Sequence, residues 1–321
     1  MINFNFSKVF AVFTFYVLSI YAQAQHSQSM LMYKDFNRAN GFDANEVSAF
    51  HEDSLGFMWV GTENGLFRYD GNEMMLVLNS IQIKDSMEIQ LDISAIHEDE
   101  KGIFWLGIKR NPDVGLLKFD PMTMKYKPFN IYPDSIPIQK RWINSIYEDE
   151  NRILWMPTDA GALILFDIKN EILSAIIHPD ESELSFLEKY NIKPNVYFDF
   201  LQVLPDPRRK DIWVTTIYGL FLFDPDERSF QVFIPEQVQI HDSQIVTFAV
   251  FDSSGILWVT FSGWLYRFNT DSKKFESAFK NLKDYDLGYD NYVRAFINPT
   301  YNEQLVLTSN KGIIIMNIKK L

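Results

Sequence analysis

From residue 46 onward, apolar and polar side chains alternate in short runs, and Asp, Asn or Gly ends most of them. Alternation with a period of two marks a half-buried strand, because successive side chains leave a strand on opposite faces. Over 46–51, Val47, Ala49 and His51 take one side and Ser48 and Phe50 the other. A tight turn is predicted at 53–56, where Asp53 can bond its own downstream backbone and Gly56 can take positive φ. A second strand follows over 57–62 with Trp59 at its centre, then a turn at 63–65 and a third strand over 66–69. Asp70-Gly71 is a strong hairpin signal, and 74–78 supplies an outer strand. Helical periodicity is nearly absent; 181–190 is the one stretch that fits a short helix.

The same grammar returns over 92–120, 142–167, 198–224, 245–269 and 293–317. The marker positions Trp59, Trp105, Trp155, Trp213, Trp258 and Val306 stand 45 to 58 residues apart. A repeat of this period, built from four short strands, predicts an all-β fold: a β-propeller of six four-stranded antiparallel blades. The recurring tryptophans then belong to the core, each filling the gap between twisted neighbours and burying about 150–250 Å². The last unit reaches only a third strand before the chain stops, while 30–36 is an unassigned strand ahead of the first unit. Pairing of the two would close the last blade and leave no raw sheet edge. A seventh blade hidden between 168 and 197 has too little room.

Composition narrows the partners. The 28 Phe and 15 Tyr favour strands. Acidic residues outnumber basic ones, 42 to 30, for a formal charge of -12. Phosphate binding needs a basic face, so nucleic acid and anionic membrane surfaces are excluded as partners. A neutral ligand, a cation or another protein remains. At the start, Lys8 precedes an apolar run over 9–21 and the small-x-small site Ala22-Gln23-Ala24. That order predicts a secretory signal peptide over 1–24 and a single propeller domain over 25–321 in the periplasm or outside the cell. The apolar run is shorter than the ~20 residues needed to span a bilayer, so no membrane insertion is expected after its removal. Cysteine is absent, which leaves neither disulfide nor lipid-attachment site.

Residues 53 to 70 read Asp-x-x-Gly-x-x-Trp-h-Gly-Thr-x-x-Gly-Leu-x-x-h-Asp, with h apolar. This pattern resembles the two-component regulator propeller repeat, which builds the periplasmic sensor region of hybrid two-component systems. The lead-in from Phe36 through Asn40-Gly41-Phe42-Asp43-Ala44-Asn45 is similar to the start of such regions. The resemblance is strongest in the first, second and fifth units. It implies sensing or binding, with an oligosaccharide or another envelope ligand as the expected partner. Phosphotransfer is not implied, because no kinase histidine motif or phosphate-cradling Gly-rich segment is present.

Loop length sorts the two faces of such a propeller. Turns such as 53–56, 70–72 and 224–228 are short, whereas the blade connections over 79–91, 130–141, 178–197, 235–244 and 280–291 are long. The extra residues 109–114 project on the long-loop side as well. Elaborated loops on one side of a rigid scaffold are where binding usually resides. Tyr132, Arg141, Trp142, Tyr197, Tyr218, Trp264, Tyr289 and Tyr292 are therefore the candidate ligand-binding residues, or they simply cap the blade ends. Trp142 and Trp264 stand out, since both fall outside the repeated Trp position.

Candidate chemistry is sparse. His51 and His97 share a place in successive units where the third has Tyr147, which suits packing better than metal ligation. Asp53, Asp99 and Asp149 recur as turn formers. No Gly-x-Ser-x-Gly elbow occurs and there is no Cys nucleophile. The acidic loop with Asp284, Asp286 and Asp290 has only weak Ca²⁺ spacing. A binding protein without catalytic residues, cofactor or metal is expected; a protein-docking scaffold and a propeller lyase or hydrolase are the alternatives.

Overall fold

A computed structural model of the protein describes residues 41–83, 87–180, 182–185, 188, 199–235, 248–261, 264–277, 294–297, 304–309 and 312–317, with backbone alone at 264, 277 and from 294 onward. These residues fold as successive antiparallel meanders, each laid down in strict chain order. Val47–Glu52, Met58–Thr62, Gly65–Tyr69 and Met74–Leu78 make the first sheet, and Ile93–Glu98, Phe104–Ile108, Leu116–Asp120 and Lys125–Phe129 the second. The third, fourth and fifth sheets have inner strands at Tyr147–Glu148, Phe200–Pro205 and Phe248–Phe251. Arg294–Ile297, Gln304–Ser309 and Gly312–Asn317 form a sixth, three-stranded sheet. Contacts run from the first strand of the first, fourth and fifth sheets to the first strand of the next, and from the second strand of the third sheet to the first strand of the fourth, so the sheets are the blades of a β-propeller. The predicted strand over 30–36 lies outside the described residues, as do the signal peptide and most of the 181–190 helix. A small hairpin, Ser80–Gln82 against Glu88–Gln90, decorates the connection between the first two blades.

Neighbouring blades meet through the repeated aromatics. Trp59 packs edge-on to Phe104 at 4.7 Å and 82°. Trp105 meets Phe166 at 5.7 Å, Trp155 meets Phe223 at 5.8 Å, and Trp213 meets Phe268 at 5.1 Å. In each pair the Trp belongs to one blade and the Phe to the next, and all five tryptophans are buried. The Gly two residues after the Trp has a packing cause. A Cβ on Gly61 would stand 2.8 Å from Ile93 of the second blade, and one on Gly107 would stand 3.0 Å from Ile143 of the third. In these two blades the next blade packs so close that only hydrogen fits there.

The third blade departs from the pattern for a local reason. Pro157 occupies the place of Gly61 and Gly107 and has no N–H to give the ladder, so its inner strand shrinks to Tyr147–Glu148 plus an isolated bridge from Ile143 to Thr158. In the first, second and fourth blades the inner strand instead carries a register shift at its start, at 47/49, 93/95 and 200/202. Both devices loosen the beginning of the inner strands, which is the long-loop end.

Candidate functional site

At that end the second, third and fourth blades each place two positions side by side: the residue before the inner strand and the residue after the second strand. They are tied through the backbone. Lys109 N donates to Asp92 O at 2.8 Å, Asp159 N to Trp142 O at 3.2 Å, and Ile217 N to Asp199 O at 3.1 Å. The frame repeats while the side chains do not, so a varied polar cluster sits on an invariant scaffold.

Lys109 anchors one half of the cluster. Its side chain is 1% exposed, and Nζ reaches Glu46 Oε1 at 2.9 Å, Ser48 Oγ at 2.7 Å and Asp92 Oδ1 at 3.5 Å. The same ammonium stands 3.9 Å from the centre of the Trp142 ring, whose negative π face attracts a cation. Arg110, with φ 50°, lies 5.3 Å from that ring and donates its backbone N–H to Arg141 O. Burial raises the Asp92 carboxyl above its usual range; Lys109 opposes this and Glu46 reinforces it.

Asp159 anchors the other half. Burial, with the charge of Asp199 second, raises its carboxyl from 3.8 to about 7, and Lys140 only partly offsets the shift. Asp199 is itself raised by burial and held down by Lys140, whose Nζ stands 3.4 Å from Asp199 Oδ1. Tyr132 is fully enclosed; burial, then Asp159, push its phenol well above the ordinary value. Asp159 Oδ1 and the Tyr132 hydroxyl are both buried without a hydrogen-bond partner among the described residues. Room for the Tyr132 ring exists because residue 115 is glycine: a Cβ there would lie 2.6 Å from the ring.

The structure treats the eight candidate ligand residues unequally. Arg141 is buried, and its guanidinium donates to the carbonyls of Ile136 at 3.0 Å, Pro112 at 2.9 Å and Pro133 at 3.4 Å. It staples the 109–114 insertion to the following connection. Tyr132 lies 5% exposed beside it, its ring 5.8 Å from the guanidinium, and the charge of Asp159 acts on its phenol. Trp142 is half-buried under its two cations. These three come together; Tyr218 packs in a separate apolar cluster with Phe221 and Phe261. Tyr197, Tyr289, Tyr292 and the Trp264 side chain lie outside the described residues. Sequence reasoning missed Glu46, Asp92, Asp159 and Asp199. The available signal was the equivalent position Glu63, Lys109, Asp159, Ile217, which changes chemistry from unit to unit within a repeating frame.

On the short-turn face the histidines join blades. His51 Nε2 lies 3.0 Å from Glu98 of the second blade, and His97 Nε2 lies 2.8 Å from Glu148 of the third. Glu98 also accepts from Ser54 N and Oγ, which accounts for the repeated carboxylate. His178 contacts Gly161 O at 3.0 Å, and His241 and the 284–290 loop fall outside the described residues. Among the described residues no group of three His, Asp or Glu is placed to hold a metal. An open depression of ≈ 340 Å³ between the fourth and fifth blades is lined by Arg208, Gly255, Arg267, Asp271 and Glu276. It lies among the short turns, where Arg208 is already bonded to Thr270, and the buried Nε of Arg267 has no hydrogen-bond partner among the described residues.

Comparison with known proteins agrees with this architecture. Residues 41–64 match the model of a family described as two component regulator propeller. A 72-residue stretch is 33% identical to Histidine kinase P4 of Formosa agariphila, covering 22% of this chain and 5% of that protein. Among solved structures, the extracellular domain of the hybrid two component system BT3049 from B. thetaiotaomicron is similar with a TM-score of 0.65 at 17% identity. That match covers 89% of this chain and 36% of the other. PorZ, a surface component of the type-IX secretion system of Porphyromonas gingivalis, is similar with a TM-score of 0.59 at 15% identity, over 86% of this chain and 39% of that one. The chain therefore spans about a third of the first structure and a small fraction of the curated relative. No helix among the described residues is long and apolar enough to cross a membrane.

Proposed function

We propose that this chain, which matches the two-component regulator propeller model over residues 41–64, is an extracytoplasmic ligand-binding sensor module that takes its ligand on the long-loop face. The signal peptide expected over 1–24 supports export, and the resemblance supports an oligosaccharide or another envelope ligand. Binding is the whole contribution of these residues; phosphotransfer belongs to other parts or partners, and no turnover is expected.

One observation carries the reading: Glu46, Asp92, Asp159 and Asp199 share the mouth of the blades with Lys109, Arg110, Lys140 and Arg141. The two signs balance, so neither a strongly anionic nor a strongly cationic ligand is favoured. A neutral molecule rich in donors and acceptors fits, and a sugar chain is such a molecule. Titration calorimetry and thermal-shift measurements of the full chain against a panel of plant and host glycans test it. Micromolar binding of a neutral glycan is the expected result, and silence from every glycan in both assays overturns it.

A second reading rests on the other face, where the short turns expose Leu55 at 72% and Met122 at 81%. These suit docking of another envelope protein, and the likeness to a secretion-system surface component points the same way. Leu55→Asp and Met122→Asp would abolish such docking while leaving glycan binding intact.

A further inference from the structure

The geometry points to a proton-linked polar subsite at the base of that mouth, in which the Asp159 carboxylate and the Tyr132 hydroxyl together receive one hydroxyl group of a neutral polyhydroxylated ligand. The inference rests on the ligand-binding reading above and adds to it the contact residues and their regulation by pH.

Two independent observations carry it. Asp159 is 9% exposed and Tyr132 5% exposed, yet Asp159 Oδ1 and the Tyr132 hydroxyl both lack a partner among the described residues. A buried polar atom left without a hydrogen bond costs about 1–3 kcal/mol, and such groups mark places where a partner is to be supplied. The second observation is position. Asp159 opens the loop after the second strand of the third blade, Asp199 immediately precedes the inner strand of the fourth, and Lys140 and Tyr132 come from the long connection between the second and third. Three chain segments thus converge on one point of the elaborated face.

The groups facing Asp159 fix the sign of the coupling. Asp199 disfavours its ionised form, and Lys140 favours it; Arg141 acts on the neighbouring Tyr132. A ligand hydroxyl donating to Oδ1 stabilises the carboxylate, because a hydrogen bond to the charged form favours that form. In return, the Tyr132 O–H can donate to the same ligand oxygen. When the free carboxyl is protonated, binding must release that proton to the solvent. Affinity then rises with pH through the titration range of Asp159, by up to about tenfold between pH 6 and pH 8. The acidic group senses pH directly at the contact.

Xylotetraose, mannotetraose and maltotetraose are the probes. Calorimetry of the full chain at pH 6, 7 and 8, in two buffers of different ionisation enthalpy, gives both affinity and protons released. For wild type the expected result is affinity climbing with pH and proton release that shrinks from pH 6 to pH 8. Asp159→Asn, which keeps size and cannot ionise, should abolish the proton release and flatten the pH profile. Tyr132→Phe should weaken binding several-fold at every pH while leaving the proton release in place, with circular dichroism checking both folds. Binding that is independent of pH in wild type, or unaltered in its pH profile by Asp159→Asn, overturns the subsite while the ligand-binding reading stands; an ordered water alone at this place would give that result. No binding by any of the three sugars or by the wider glycan panel overturns both.

Discussion

Asp53 accepts the indole N–H of Trp59 at 2.7 Å across the first turn of the first blade. The same carboxylate also accepts the backbone N–H groups of Leu55 and Phe57 on its other oxygen. One residue thus shapes the turn and satisfies the polar atom of an otherwise apolar ring. The arrangement recurs from Trp105 to Asp99 at 3.3 Å, from Trp155 to Asp149 at 3.0 Å and from Trp258 to Asp252 at 2.8 Å. In the fourth blade the turn is one residue longer, and both Asp206 Oδ2 and Trp213 Nε1 are buried without a partner. A spacing of six makes the bond; seven breaks it.

The contrast predicts unequal costs for one substitution. Asp252→Asn turns an amide donor toward the indole N–H and should cost about 1–3 kcal/mol. Asp206→Asn meets no indole donor, keeps an oxygen for Arg208 N, and should be close to neutral. Chemical denaturation of the two variants gives the comparison, and equal losses would refute the pairing as a source of stability.

Interblade packing sets a larger effect. Trp105 touches Phe166 of the next blade and lies 1% exposed. Trp105→Ala leaves a cavity between two blades that cannot close up, at about 3–5 kcal/mol. Trp105→Phe should recover part of that loss but leave Asp99 Oδ2 without its indole donor. Midpoints of urea unfolding, with unchanged slope, would report it.

Gly107 offers a test of the narrow wedge itself. Its backbone is not in the left-handed region, so alanine costs nothing in φ, yet the new methyl would stand 2.9 Å from Ser94 and 3.0 Å from Ile143. Gly107→Ala should therefore cost about 1–3 kcal/mol by overpacking. Combining it with Ser94→Ala, which removes the Oγ nearest the new methyl, should return part of the loss, a non-additivity that distant sites would not show.

How much of this was legible in the chain follows from which residues repeat. Trp59, Trp105, Trp155, Trp213 and Trp258 stand in register with Asp and Gly partners, so blade number, strand order and the buried ring could be read from spacing. The Asp-to-Trp bond was present in the same spacing but does not follow from turn chemistry alone. The polar cluster was not legible, because Lys109 and Asp159 have meaning only through the long-range partners that folding brings to them. Arg141 stands between the two. Its place on the elaborated face was legible, but its bonds to the carbonyls of Pro112, Pro133 and Ile136, which tie the loops together, were not.

Asp159 makes stability depend on pH even without ligand. Its carboxyl titrates near 3.8 when unfolded and about 7 when folded. The folded state therefore holds the proton more tightly, and stability falls as pH rises from about 4 to 7 before levelling off. The full penalty corresponds to about 4 kcal/mol as an upper bound, from roughly three units at about 1.4 kcal/mol each. Asp159→Asn should thus raise the melting temperature at pH 8 and leave it unchanged at pH 4. Equal shifts at both pH values would show that charge burial is not the cause.

Lys109→Met carries the same logic to the other half of the mouth, with the opposite outcome. Met keeps the apolar stem against Trp142 but removes the charge that Glu46 and Asp92 share. Asp92 already sits above its usual range with Lys109 holding it down, so loss of the ammonium lets burial and Glu46 raise it further. At pH 8 the unfolded Asp92 is ionised, and the folded protein must either bury that charge or take up a proton. The variant should consequently lose about 1–3 kcal/mol there, because the Asp92 and Glu46 side chains left behind, 28% and 58% exposed, keep part of their hydration. At pH 4 Asp92 can accept a proton in both states and the loss should be clearly smaller. Thermal melts of wild type and variant at the two pH values decide it; a loss independent of pH would mean that Lys109 serves only to fill space.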